Sequence, residues 1–212
     1  MTDTLDNSSL HSSAHPVLRA VALFVITSLL SAAVIGLVHL DFRLGLIRAS
    51  SESSLVEIAQ AVLLAGIAVV LFVAAARRPP LRAGLLLAAG FFLCLFIREN
   101  DGWLDRIHHG FWFPVALAAA AVVLLLAWRS RASLLPGFRA LCESRTMPLL
   151  VGGLAMLLVF SRLFGAKALW TEAGLHQIAP VIKTVAEESL ELLADAFLAL
   201  WVALLVPRLP KG

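Results

Sequence analysis

Residues 181–206 read VIKTVAEESLELLADAFLALWVALLV, and this stretch decides the architecture. It is long and apolar enough to cross a hydrocarbon layer, which takes about 20 residues of helix. It also carries acids. At about 100° per residue, Thr184, Glu188, Glu191 and Asp195 (i, i+4, i+7, i+11) fall on one narrow stripe with Glu187 at its border. Asp195 comes roughly 20 Å beyond Val181, near the middle of a bilayer. A carboxylate at that depth costs at least about 2.5–3.5 kcal/mol, so it has to face other helices, water or a bound cation. The spacing therefore predicts a membrane helix packed inside a bundle, with its polar line turned inward.

The rest of the chain supplies the bundle. Of 212 residues 60% are hydrophobic and 15% charged, and the mean hydropathy is +0.92, which a water-facing domain could not accommodate. Six apolar runs stand out, at about 17–40, 55–76, 83–97, 111–128, 147–164 and 181–206. The expected fold is an all-α, six-helix transmembrane bundle over residues 17–206, with short loops. A disordered tail is expected over 1–16 and a short tail over 207–212. The first run is too long for a signal peptide and its polar lead-in has no Lys or Arg, so it reads as an uncleaved anchor. Cys94 and Cys142 make no disulfide framework.

Charge orients the bundle. With the N-terminus inside, ten of the seventeen Lys and Arg residues fall on the inner side, mostly in the short loops Arg77–Arg82 and Arg129–Arg145. Eleven of the fourteen acids fall on the outer side or in the outer part of a helix. The expectation is a bacterial-type inner-membrane protein with both termini cytoplasmic. Its basic overall balance averages two opposite faces and says little about partners. Nucleic acid is excluded as a partner, because the inner arginines are spread over short loops and form no surface that could follow a phosphate backbone.

Two further segments place polar groups at the outer level. Ser53, Glu57 and Gln60 repeat the helical spacing in the second run. Glu57 on its own could snorkel to the interface, and Gln60 could be packing glue. Residues 98–110 read RENDGWLDRIHHG. The run before them spans only about 22 Å, so Arg98 and Glu99 are expected to be drawn into the membrane. Asn100 or Asp101 can cap a short helix that Gly110 ends, setting Asp105 one turn from His108 or His109. Trp103 and Trp112 suit a headgroup-level belt. Residues 170–179 suit a short surface helix, and Pro79-Pro80 and Pro136-Gly137 mark tight inner turns. Gly152-Gly153 reads as close helix packing.

If these segments converge, the outer half encloses a pocket with three uses. In the first, Asp105, His108, His109, Glu191 and Asp195 hold a divalent Zn, Mn or Fe ion. Glu57, Glu99, Asp101 and Glu188 would then serve as catalytic carboxylates of an enzyme acting on a lipid or lipid-linked substrate. In the second, protons or cations move along Glu188, Glu191 and Asp195. In the third, a buried ionic network fixes helix register in a larger membrane complex. No His-Glu-x-x-His, Gly-x-Ser-x-Gly, Walker or Glu-x-x-His motif is present.

The gathering of acids and histidines at one bilayer surface resembles the ceramidase-like and adiponectin-receptor-like membrane hydrolases. The final helix lacks a His-x-x-x-His pair, so no residue takes a role from that resemblance.

Overall fold

The computed structural model describes residues 7–45 and 54–210, with side chains from Val17 onward. Ser53 and the segments 1–6 and 211–212 lie outside the described residues. Every regular element among those described is helical. Six of the helical segments are long and apolar enough to cross a membrane: Val17–Arg43, Leu55–Arg77, Pro79–Glu99, Trp112–Arg129, Met147–Phe164 and Ala179–Arg208. The chain therefore forms an all-α, multi-pass membrane bundle, as the apolar runs predict.

Helix α1 covers Asn7–Arg43, so it starts inside the segment expected as a tail. Helix α2 covers Leu55–Arg77 and opens with a capping box. The Glu57 N–H donates to Ser54 Oγ at 3.0 Å, and the Ser54 N–H donates to Glu57 Oε2 at 3.2 Å. A second cap comes from α1, whose fully buried Asp41 accepts through Oδ1 from the Leu55 N–H at 3.1 Å. Two carboxylates thus satisfy the first donors of α2, where the helix dipole also favours negative charge.

Helix α3 covers Arg82–Glu99 and follows a 3-10 turn at Pro79–Leu81, where a turn is expected from the proline pair. With that turn the third span reaches 21 residues and ends at Glu99. The short run 83–97 is thus lengthened at both ends, and Arg98 and Glu99 become its last helical turn. Helix α4, Asp101–Asp105, is shorter than expected. It stops well before Gly110, whose positive φ of 78° closes the loop while its N–H donates to Asp105 Oδ1 at 3.0 Å.

Helix α5 covers Trp112–Arg129. Pro136-Gly137 does not make the tight turn expected of it. Both residues stand inside α6, Leu134–Cys142, where the proline occupies the first turn and its missing N–H costs nothing. Gly137 is needed there for contact: a Cβ on it would lie 2.8 Å from Gly84 Cα of α3, so the two backbones touch.

The fifth span is interrupted. Helix α7, Met147–Ala155, passes into a π-helical turn at Met156–Phe160 and resumes as α8, Ser161–Phe164. The surface helix α9 falls at Lys167–Glu172, earlier than expected. Helix α10 covers Ala179–Leu205, with Pro180 in its first turn.

Helices α2, α3 and α10 form the centre, with α5 and α6 against α3 and with α7 and α8 against α10. Their shared core holds Leu64, Leu71, Leu85, Phe92, Leu198 and Trp201. Gly153 of α7 lets α10 approach, since a Cβ there would sit 2.8 Å from Leu198 Cγ, whereas Gly152 faces open space. Helix α1 stays peripheral, touching α10 and α2.

This arrangement brings the start of α2, the end of α3 and the first half of α10 to one end of the bundle. The arginine-rich turns of residues 77–82 and 129–145 lie at the other.

Candidate functional site

At the acidic end the stripe of α10 divides among three neighbours. Glu187 and Glu191 turn to the fifth span. There Arg162 donates through Nη1 to Glu187 Oε1 at 2.8 Å and through Nη2 to Glu191 Oε1. Lys183 adds a second cation for Glu187, Nζ to Oε2 at 3.6 Å. Glu188 turns towards α2, and Gln60 Nε2 donates to its backbone carbonyl at 3.4 Å. Its charge acts together with those of Glu57, Asp41, Glu191 and Glu99. Asp195 turns towards α3. Thr184 donates back to the Pro180 carbonyl at 3.0 Å and takes no part.

The fifth span delivers Arg162 because of its π turn. An i→i+5 turn inserts one residue into the helix and rotates everything after it, a device frequent at functional sites. Ser161, fully buried, caps the disturbance by donating to the Leu157 carbonyl at 2.6 Å. Gly165 leaves room for Glu187, whose carboxylate occupies the space a side chain at 165 would need.

Glu99 is the hub. It is partly buried at the last turn of α3, and the charges acting on it are those of Glu191, Arg98, Glu57 and Arg162. Asp195 is 1% exposed, and its Oδ1 has no hydrogen-bond partner. Among the described residues the charges acting on it are Glu99 and Glu191, both negative. Gln60, fully buried on α2, likewise holds an unpartnered Oε1. With Asp41 Oδ2, three acceptors among the described residues are therefore withdrawn from water with nothing donated to them, which costs about 1–3 kcal/mol each if left so.

Beside this cluster, Glu57, Glu99, Asn100, Asp101 and Trp103 line a cavity of about 260 Å³ between α2 and the α3–α4 turn. Glu57 thus caps its helix and also faces a cavity.

The structure sets Glu57, Glu99, Glu188 and Glu191 near one another, and Asp195 near Glu99 and Glu191. It does not gather the metal-ligand set. Asp105 pairs with His109, Oδ2 to Nδ1 at 3.2 Å, and the histidine side chain is wholly exposed. His108 is exposed on the same loop. Neither histidine nor Asp105 is among the charged neighbours of Asp195, and Glu191 is taken by Arg162. Among the described residues no three His, Cys, Asp or Glu side chains are placed to share a metal ion. The donors expected for Zn, Mn or Fe therefore do not fit one centre as arranged.

Sequence reasoning missed three participants. Arg162 counted only as one of the outer bases, although asking which cation offsets three carboxylates on one helix would have singled it out. Asp41, which by sequence is one of the eleven outer acids, is a buried helix cap. The π turn has no signal in the residue types.

Neither a protein-family model, a curated protein nor a solved structure matches the chain.

Proposed function

We propose that this integral membrane protein binds and passes protons or small cations through the acidic end of its bundle, with Asp195 and Glu99 as the exchanging groups. One observation carries the reading. Asp195 lies midway along the last span, almost wholly buried, with an unpartnered Oδ1, and the charges acting on it among the described residues, those of Glu99 and Glu191, are negative. A bare carboxylate there is costly, and a structural ion pair would supply its own cation, as Arg162 does for Glu191. Asp195 has none of this kind among the described residues, so its charge is compensated by a proton or cation that can leave.

Glu99 gives that cation a route. It lines the cavity at the acidic end and acts electrostatically on Asp195, so a charge handed from one to the other stays among carboxylates. A metal-dependent lipid hydrolase has less support, since His109 pairs with Asp105 on the exposed loop, whereas Glu191 pairs with Arg162.

The test is flux in sealed liposomes. Purified protein is reconstituted with an internal pH dye, and proton and sodium gradients are imposed in both directions. Wild type is expected to dissipate at least one gradient, and Asp195→Asn and Glu99→Gln to lower the rate by about tenfold or more, as loss of an intramembrane relay group implies. Rates equal to protein-free liposomes for every gradient would remove the reading.

A further inference from the structure

At the arginine-bearing end of the bundle a cavity of about 300 Å³ lies between two separate stretches of chain. The turn from α6 into α7 lines it with Glu143, Ser144, Arg145 and Thr146, and the residues that close α10 line it with Arg208. Leu205 and Leu209, both buried, give it an apolar wall.

The charges on this cavity do not cancel. Its carboxylate is already engaged, since Glu143 Oε1 accepts from Arg139 Nε at 2.6 Å. Arg145 makes no hydrogen bond or ion pair among the described residues. Arg208 donates through Nη1 to the Leu204 carbonyl at 2.8 Å, which orients its guanidinium and leaves the rest of its five N–H donors uncommitted. Two cations therefore line one cavity whose own acid is committed elsewhere.

Both arginines stand on anchored backbone. Ser144 Oγ and Thr146 Oγ1 share a hydrogen bond at 2.9 Å across Arg145, and Thr146 is buried. That bond uses one of the two hydroxyl protons, so the other can still donate. On the opposite wall Arg78 donates through Nη2 to the Val206 carbonyl at 2.7 Å and so pins the 3-10 turn Val206–Arg208 that carries Arg208.

We propose that this cavity binds a dianionic phosphate group through Arg145 and Arg208, with a hydroxyl of Ser144 or Thr146 as a further donor. Planar guanidinium forks match phosphate oxygens, and two of them offset the charge of about −1.5 to −2 that a phosphate monoester carries at neutral pH. A phosphodiester, with one negative charge, leaves one of the two cations uncompensated. The space beyond the phosphate runs against Leu205 and Leu209 and takes the group to which it is attached. The phosphate belongs either to a soluble species or to the headgroup of a monoester lipid. None of the residues of the acidic end is used, so the inference stands apart from the ion-exchange reading.

Binding is measured on the full chain in detergent. In one arm the protein is titrated calorimetrically with inorganic phosphate, with chloride at equal ionic strength as comparator. In the other, native mass spectrometry counts retained phosphatidic acid against phosphatidylglycerol. Saturable binding of phosphate, or selective retention of phosphatidic acid, supports the site and tells the two sources apart. Arg145→Gln and Arg208→Gln, both at exposed positions, should each weaken binding by about tenfold while the unfolding temperature stays near that of wild type. Arg131→Gln, exposed at the same end but outside the cavity, should bind as wild type does.

The proposal is overturned if neither phosphate nor phosphatidic acid binds saturably, or if either cavity variant binds as wild type does. It is overturned equally if Arg131→Gln loses as much as they do, which would mean that the whole basic face attracts anions without a site.

Discussion

Arg162 of α8 reaches across to Glu191 of α10 and pairs with it at a buried carboxylate, while its other terminal nitrogen holds Glu187 one turn earlier. One guanidinium thus ties the end of the fifth span to the acid-bearing half of the last, and its planar fork suits two carboxylates as an ammonium would not.

Removing that cation should destabilise the bundle. Arg162 is 41% exposed and Glu191 8%, so the loss should fall below the about 3–5 kcal/mol of a wholly buried pair, at about 1–3 kcal/mol. Arg162→Ala is expected to lower the unfolding temperature in detergent, and Arg162→Ala with Glu191→Gln to recover part of the loss. A double variant no better than the single would mean that the pair carries no coupling energy.

Close packing at Gly153 makes a sharp contrast with its neighbour. Gly152→Ala should change stability little, because nothing lies within 4 Å of the added carbon. Gly153→Ala pushes on Leu198 and should cost about 1–3 kcal/mol, with Leu198→Ala in the same chain restoring part of it. Equal unfolding temperatures for the two alanine variants would show that α7 and α10 do not approach as described.

The histidine loop should tolerate change. His109 is fully exposed, and Asp105 keeps its bond from the Gly110 N–H without it. His109→Ala is expected to leave both the unfolding temperature and the ion flux in liposomes unaltered. A loss of flux in His109→Ala would restore the loop to the functional site.

Topology is open to labelling. In a chain with Cys94 and Cys142 replaced by serine, single cysteines at Arg77 and Trp103 should react with a membrane-impermeant maleimide from opposite sides of sealed vesicles, since α3 spans between them. Reaction of both from one side would mean that Pro79–Glu99 does not cross.

The six spans were legible because each is an apolar run of membrane length, and hydrocarbon leaves a backbone no alternative to helix. Boundaries were less so. The third span gained Pro79–Leu81 and Arg98–Glu99, since a 3-10 turn and a polar helical turn look like loop by residue type. Helix α6 hid behind Pro136-Gly137, a dipeptide that also makes turns.

By itself, then, the residue order determined that this chain has six spans of membrane length and carries most of its acids at one end, because hydropathy and helical period act locally along the chain. Only tertiary packing decided which acids share a partner. Among the described residues Glu187 and Glu191 went to Arg162 through a π turn, Asp195 was left near Glu99 without a cation, and His108 and His109 stayed on the exposed loop. Those outcomes depend on how far each helix is rotated and how closely its glycines let a neighbour approach, and neither quantity is written in any single segment.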